Sequence, residues 1–342
     1  MIDLKPARIL AIESSCDETA AAVIDNGRAL LSSVVASQMD IHARYGGVFP
    51  EVASRQHILS AIPVVEQTLS EAHLTLSDVD AIAVTRGPGL AGSLVVGLNL
   101  AKGLALGSGL PIVGVNHLEG HIYSSWVYNA SEAPHPVPEF PLLALLVSGG
   151  HTEFILIEGH LSYRRLGATL DDAAGEAFDK VARLLNLSYP GGPSIQQAAE
   201  EGDASRFPFP RARLEGTWNF SFSGLKTAVL KEVRKFESDN RKIPVADMAA
   251  SFQAAVVDAL ATKTMLAARA FGVKEILVAG GVSANSALRS TFLAQKEFKV
   301  NIPRLSLCTD NAAMIASAGY FRFAHGFTDG LEMDVLPTWP LS

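Results

Sequence analysis

Apolar positions along this chain fall into two series that repeat one plan. Ile9 to Glu13 reads as a strand, Ser14 to Glu18 as a polar turn and Thr19 to Asp25 as a returning strand, and Leu142 to Ser148, Gly149 to His151 and Thr152 to Glu158 repeat that order. Each series then supplies a strand that runs into glycines and a helix. In the first, Ala81 to Thr85 leads through Arg86 to Gly92 into a helix beginning near Ser93; in the second, Glu275 to Ala279 leads through Gly280 to Asn285 into a helix from Ser286 to Phe298. The pattern predicts an α/β chain of two lobes, with duplicated mixed sheets flanked by helices and glycine turns opening toward a central cleft. The proline-rich stretch Pro134 to Pro141 is the expected crossing. A final helix, about Ala312 to Ala324, is expected to return to the first half, which sets the lobes at residues 1–138 plus 306–342 and residues 139–305.

Length and composition agree with two cores: 342 residues, 48% of them hydrophobic, exceed what one ordinary domain needs. The first dozen residues carry Asp3, Lys5 and Arg8 without an apolar core, and the apolar stretch after Gly89 is broken by glycines, Asn99 and Lys102, so neither a signal peptide nor a membrane span is expected. Cys16 and Cys308 are too few for a disulfide framework or a cysteine metal cage, which fits a reducing cytoplasm. The net charge of −7 argues against general binding of polyanions, but it is uneven. Between Arg206 and Lys242 nine Lys or Arg face four acids, a local +5 that leaves −12 for the rest. Such a stripe can engage phosphates locally; an ordinary solvated helix face is the alternative.

The residue pair with the most chemical content is His117 and His121, in His-Leu-Glu-Gly-His. Four residues along a helix are offset by roughly 40° and about 6 Å, so both imidazoles share a face and can grip one metal ion. Asn116 is a candidate N-cap after the apolar strand Pro111 to Val115, with Glu119 at the third helical position in a variant of the capping box. A zinc peptidase places its general-base glutamate directly after the first histidine; Leu118 stands there instead. Asp310, in Cys-Thr-Asp-Asn before the last helix, is either that helix's N-cap or the carboxylate completing a site of two histidines and one acid.

Glycine turns between a strand and a helix leave backbone amides uncovered and favour an anion such as phosphate. Val147 to Thr152 and Ala279 to Asn285 are both of this kind, and neither matches the Walker or dinucleotide fingerprints. Their corresponding positions point to a nucleotide held between lobes. Carboxylates accompany them: Glu13, Asp17 and Glu18 crowd the first turn, while Asp171, Asp172, Glu176 and Asp179 lie along Leu170 to Lys180. Helix capping is the favoured reading for Asp171 and Asp172, whereas Asp17 and Glu18, at a hairpin tip, are candidates for chemistry.

The runs Ile12-Glu-Ser-Ser-Cys-Asp-Glu-Thr19, Tyr45-Gly-Gly-Val-Phe-Pro-Glu-Val-Ala-Ser-Arg55, Gly87-Pro-Gly-Leu90, His117 to His121, Leu146-Val-Ser-Gly-Gly-His-Thr152, Asp171 to Lys180, Tyr189-Pro-Gly-Gly-Pro193, Phe220-Ser-Phe-Ser-Gly-Leu-Lys226, Ala279 to Asn285 and Cys308 to Asn311 occur in order over almost the whole chain. In this the chain resembles the bacterial TsaD type of the universal tRNA threonylcarbamoyltransferases, formerly called O-sialoglycoprotein endopeptidases. Ser14, where threonine is usual, is a conservative departure. The resemblance implies an actin and Hsp70-like (ASKHA) fold. It implies transfer of a threonylcarbamoyl group from threonylcarbamoyl-AMP to the N6 amine of the tRNA adenosine 3′ of the anticodon, position 37, with release of AMP. It further implies that His117, His121 and Asp310 bind one divalent metal, usually iron, and that Leu146, Val147, Ser148, Gly149, Gly150, Asp179, Gly192 and Asn285 hold the adenylate. The partners it implies are tRNA, an inactive paralogue of the same fold (TsaB-type) and a small P-loop ATPase (TsaE-type), in a cytoplasmic protein that also forms homodimers in some members. The apolar helix around Leu94 to Leu106 is a candidate paralogue interface, with core packing the favoured reading.

On the chemistry, Asp17 or Glu18 is the candidate general base for the adenine amine. Three rival readings stand beside transfer: an ATPase or sugar kinase of the same fold, a metallopeptidase, and a scaffold on a decayed cleft.

Overall fold

The uninterrupted apolar run at Ile9–Ile12 is buried because its strand lies inside a sheet covered by helices on both faces. The structure is a computed structural model and describes residues 5–211, 214 and 216–341; Arg213 and Glu215 of the basic segment, and Asp3, lie outside the described residues. The chain packs as two compact units, Met1–Pro138 with Thr309–Ser342 and Glu139–Cys308.

The first unit opens with the meander β1 (Arg8–Glu13), β2 (Glu18–Asp25) and β3 (Ala29–Ser37), antiparallel throughout. A short α1 (Met39–Ala43) and the long α2 (Pro50–Glu71) follow, then β4 (Ala81–Gly87), α3 (Ala91–Ser108), β5 (Ile112–Asn116), α4 (His117–Tyr123) and the short β6 (Tyr128–Asn129). The sheet order is β5-β4-β1-β2-β3-β6, with β4 parallel to both β1 and β5.

The second unit repeats the plan: β7 (Leu142–Val147), β8 (Thr152–Gly159) and β9 (Ser162–Ala168) form the meander, and β10 (Glu275–Ala279) and β11 (Lys299–Asn301) add in parallel, in the order β11-β10-β7-β8-β9. Between β9 and β10 run α5 (Ala174–Leu184), α6 (Gly191–Ala199), α7 (Ser223–Ser238) and α8 (Val245–Phe271); α9 (Ser286–Ala294) joins β10 to β11. The expected duplication is thus found as a three-strand meander extended by two parallel strands, once in each unit.

The last helix, α10 (Ala312–Ala324), packs on β1 and α4. Successive residues of a strand point to opposite faces. On β4, Ala83 meets Gly319 of α10, while Ile82 and Val84 join the cluster containing Leu98 and Ala101 of α3. The sheet is therefore covered on both sides. α3 and α8 are long and apolar enough to cross a membrane by length and composition. α3 packs on α2 and β4, and α8 on α6, α9 and β7, as core helices do. In α3, Leu94, Leu98, Ala101 and Ala105 are buried while Val95 and Leu106 are exposed.

Two expectations change. The helix after Asn285 stops at Ala294, short of Phe298, because Gln295 turns its side chain onto the backbone: Oε1 accepts from the amides of Glu297 and Phe298 at 2.8 and 3.0 Å, and Nε2 donates to the Phe298 carbonyl at 2.7 Å. Asp171 and Asp172 do not cap α5, whose N-cap is Ala173 without a side-chain bond. Asp171 instead accepts from the Phe222 and Ser223 amides at the start of α7 (2.8 and 3.3 Å) and from the Ser221 and Ser223 hydroxyls (2.5 and 2.6 Å). Asp172 binds Lys180 at 2.6 Å and Lys226 at 2.7 Å. Asp171 is thus a capping residue in kind, for a helix start fifty residues away in sequence, whereas Asp172 is an ion-pair partner of two lysines and caps nothing.

Candidate active site

β5 ends in Asn116, whose Oδ1 accepts from the Leu118 amide at 2.9 Å and so starts α4 as the N-cap. Every residue of α4 is buried. The Glu119 carboxylate pairs with Arg322 of α10 at 3.3 Å, tying the helix that carries both histidines to the helix that follows Asp310. Asn311, not Asp310, is the N-cap of α10, accepting from the Met314 amide at 3.0 Å. Asp310 is thereby left to the histidines. Its Oδ1 lies 3.5 Å from Nε2 of His117 and 3.4 Å from Nε2 of His121, and one ligand atom from each of the three residues falls within 4.8 Å of the others.

This group has the electrostatics of a cation site. Nδ1 of His121 is buried without a hydrogen-bond partner, and Nε2 meets only Asp310, at 3.4 Å and out of good hydrogen-bond geometry, an arrangement that costs free energy unless another ligand takes a lone pair. Burial holds His121 below its ordinary pKa, in the neutral form that ligates. For His117, burial is outweighed by Asp310 and Glu13, which hold the imidazole well above its ordinary value. Burial would likewise raise Asp310, but His117 and His121 hold it well below the usual carboxylate range. Two imidazoles and one carboxylate, converging with no fourth protein ligand among the described residues, suit a divalent transition metal with open positions.

The neighbouring turn is tightly built. Glu13 ends β1 fully buried, with Oε1 accepting from the Ser15 amide at 2.5 Å and Oε2 accepting from Thr85 at 2.7 Å and facing Nδ1 of His117 at 2.9 Å. Burial raises the Glu13 carboxyl, but the His117 charge outweighs it and keeps the group ionised. Gly89 allows the Ser15 carbonyl to approach where a Cβ would stand, and that carbonyl accepts from the Leu90 amide at 2.8 Å. The buried His57 of α2 clamps the far side: Nε2 donates to the Cys16 carbonyl at 3.0 Å and Nδ1 accepts from the Thr19 hydroxyl at 2.8 Å. Burial lowers the His57 pKa, which keeps that neutral tautomer.

Asp17 lies in the turn, its carbonyl accepting from Gln38 at 3.1 Å. Glu18 is the first residue of β2, one position earlier than expected, and pairs across to Ser37. Its Oε1 accepts from the Ser37 hydroxyl at 2.8 Å, and its Oε2 is buried without a partner. Burial pushes this carboxyl up to about 7.

In the second unit Leu146 and Val147 are buried in β7, and the turn Ser148 to His151 is closed by the Ser148 amide donating to the His151 carbonyl at 2.8 Å. A Cβ on Gly149, Gly150 or Gly192 would meet open space. Asp179 accepts from the Gly191 amide at 2.7 Å and so fixes the start of α6 beside Gly192. Asn285 caps α9, accepting from Leu288 at 3.0 Å and donating to Gln253 at 2.8 Å, while Gln196 of α6 accepts from the Ser286 amide at 2.8 Å. The Asp179, Gly192 and Asn285 segments are thus bonded to one another within this unit, while the Ser148 carbonyl accepts from the Gly175 amide of α5 at 3.1 Å.

Sequence reasoning missed Thr85, His57, Ser37 and Arg322, each of which bonds to the Glu13–Thr19 turn or to the helix of His117 and His121 from at least nineteen positions away. No local spacing marks them. In the basic segment, Arg206 pairs with Asp247 and Arg211 with Asp258 at 3.2 Å, acids outside the stretch that offset part of its charge. Lys231, Arg234 and Lys235 remain exposed on α7, opposite its buried face of Leu225, Val229, Val233 and Phe236.

The duplicated sheets define an actin and Hsp70-like α/β protein that carries a candidate metal centre. Solved structures agree on the fold. HypF from T. kodakarensis matches with a TM-score of 0.63 at 16% identity, covering 94% of this chain and 48% of that one. Component A of the Acidaminococcus fermentans (R)-2-hydroxyglutaryl-CoA dehydratase matches at 0.53 and 14%, covering 93% and 99%. The family profile of TsaD, tRNA N6-adenosine threonylcarbamoyltransferase, matches residues 29–317. The chain is 56% identical over 330 residues to the tRNA N6-adenosine threonylcarbamoyltransferase of Dehalococcoides mccartyi strain BAV1, covering 96% of this chain and 98% of that one. To that of Thermomicrobium roseum it is 52% identical over 352 residues, covering 97% and 96%. This chain belongs to the TsaD family of tRNA N6-adenosine threonylcarbamoyltransferases.

Proposed function

We infer that this enzyme moves the threonylcarbamoyl group of threonylcarbamoyl-AMP to the N6 amine of the tRNA adenosine 3′ of the anticodon, position 37. The observation that carries the reading is near full-length identity of more than half to transferases of that name. N6 attacks the carbamoyl carbon, the C–N bond forms, the bond to the phosphate oxygen breaks, AMP leaves with the electron pair, and N6 gives up one proton. The donor is a mixed anhydride with a good leaving group, so the protein's main tasks are to hold it, stabilise charge and present a weak nucleophile.

Each residue assignment has a physical support. His117, His121 and Asp310 are assigned one divalent ion, taken as Fe(2+), on the strength of the convergence of their ligand atoms within 4.8 Å of one another. Such an ion, when bound, supplies a Lewis acid and a fixed positive charge for phosphate or carbonyl oxygen. Glu18 is assigned as general base, with Asp17 beside it, because a carboxyl raised to about 7 holds a proton well enough to take one at neutral pH. Leu146 to Gly150, Asp179, Gly192 and Asn285 are assigned the adenylate, supported by open space over Gly149, Gly150 and Gly192. This divides the chemistry between a metal lobe, residues 1–138 with 309–342, and an adenylate lobe, residues 139–308, three residues beyond the expected boundary at 305/306. Lys231, Arg234 and Lys235 are assigned to guide the tRNA phosphates. The target base lies in an anticodon loop, already outside a duplex, which suits single-strand recognition.

We place the enzyme in the cytoplasm, working with an inactive TsaB-type paralogue and a TsaE-type P-loop ATPase, and with a homodimer as its self-associated form. The test is single-turnover transfer from synthetic threonylcarbamoyl-AMP to an anticodon stem-loop, with and without the partners. Product from wild type and none from His117→Ala is the expected result; no product under any condition, with ATP hydrolysis by the chain alone, refutes it. Charge reversal of Lys231, Arg234 and Lys235 with unchanged tRNA affinity refutes the assignment of the stripe.

A further inference from the structure

The bonds around Glu13 assign it a part in the metal centre, on the reading that His117, His121 and Asp310 hold an ion. Both of its oxygens are committed inside the fold: Oε1 to the Ser15 amide at 2.5 Å, Oε2 to the Thr85 hydroxyl at 2.7 Å and to Nδ1 of His117 at 2.9 Å. An ionised carboxylate only accepts. Facing it, Nδ1 carries a proton, and the nitrogen left to ligate is Nε2, the one turned toward Asp310 at 3.5 Å. The Ser15 hydroxyl, 3.1 Å from the same Nδ1, is a second partner on that side of the ring.

We propose that Glu13 is the positioning residue of the metal centre, fixing the ring orientation and protonated nitrogen of His117 and, through the Ser15 amide, joining that ring to the turn that carries Asp17 and Glu18. Ligating histidines are commonly held this way, by a carboxylate on the nitrogen that does not bind the ion. What is particular here is that one carboxylate serves the histidine, a hydroxyl from β4 and the backbone of the turn at once.

Glu13→Gln is diagnostic because an amide offers one acceptor and one donor. If its NH2 faces Ser15, two donors oppose each other. If its NH2 faces His117, Nδ1 must accept, the proton moves to Nε2, and the ligating lone pair is lost. Losing such an outer partner weakens metal binding by about 10 to 100-fold. The experiment is a Co(II) titration of the metal-stripped full chain, followed by visible absorption, for wild type, Glu13→Gln and Thr85→Val. It is paired with imidazole 15N spectra of the zinc-loaded wild type and with thermal melts of each metal-free form.

The expected result is Co(II) binding about 10 to 100-fold weaker in Glu13→Gln, a smaller loss in Thr85→Val, similar metal-free melts, and His117 protonated at Nδ1 in the zinc-loaded wild type. Should Glu13→Gln fail to fold, Thr85→Val and the spectra decide. Variants that bind Co(II) as tightly as wild type, or a zinc-loaded His117 that ligates through Nδ1, overturn the proposal alone. A wild type that takes up no Co(II) overturns the metal reading and the proposal with it.

Discussion

Ser37→Ala tests the role assigned to Glu18 through a bond that touches neither substrate nor metal. Glu18 opens β2 opposite Ser37, whose hydroxyl donates to Oε1 at 2.8 Å. Burial pushes the carboxyl up to about 7, and the Ser37 bond works against that by favouring the charged form. A hydrogen bond to a charged group contributes about 1.5–3 kcal/mol. Ser37 is exposed, so solvent takes part of this, leaving about 1.4 kcal/mol, or one pKa unit. Ser37→Ala therefore moves the Glu18 midpoint from about 7 to about 8. A base must be ionised to act, so the rate rises with pH through that midpoint. At about pH 7 the ionised fraction falls from about one half to about one tenth, a roughly fivefold slower transfer, while near pH 9 the two proteins converge. The assay is the single-turnover rate at saturating threonylcarbamoyl-AMP and stem-loop across that range, with Glu18→Gln as reference. An unmoved midpoint in Ser37→Ala, or survival of the wild-type limb in Glu18→Gln, means that another group takes the proton.

Three further outcomes follow from the same contacts. Because the folded-state pKa of Glu18 is raised, its contribution to stability is present below about pH 4.5 and is lost as pH rises through about 7; thermal melts of Glu18→Gln should match wild type in acid and exceed it above neutrality. Gly280 has φ +96° and packs against the Val147 carbonyl where a Cβ would lie, so Gly280→Ala should cost about 1–3 kcal/mol by urea denaturation; a neutral result would mean that the β7 turn relaxes freely. Asp171→Ala removes the carboxylate that receives the Phe222 and Ser223 amides and should destabilise by about 1–2 kcal/mol, with the amides that begin α7 exchanging faster with solvent.

How far the sequence reaches is visible in single residues. Asn116 as N-cap and the helical spacing of His117 and His121 were legible because a cap and a helix face are set by neighbours one to four positions apart. The strand, turn, strand plan was legible for the same reason, since a strand's alternation and a turn's glycines are local. Asp310 was ambiguous in sequence, readable as the N-cap of the last helix or as a third metal ligand; the fold made Asn311 the cap and turned Asp310 to the histidines. The end of α9 was misjudged because the hydrogen bonds of Gln295, not propensity, stop it.

Order along the chain, then, determined the elements, the repeat, the family motifs and the histidine pair by itself, because each depends on contacts within a turn or a strand length. Only the tertiary structure decided what those residues face. The partners Glu13–Thr85, Glu13–His117, Cys16–His57 and Glu119–Arg322 are 72, 104, 41 and 203 positions apart. Burial supplies the rest of the physics: away from water, the protonation state and hydrogen bonds of a carboxylate or imidazole are set by whichever group the fold brings within 3 Å, and that distance has no counterpart in the sequence.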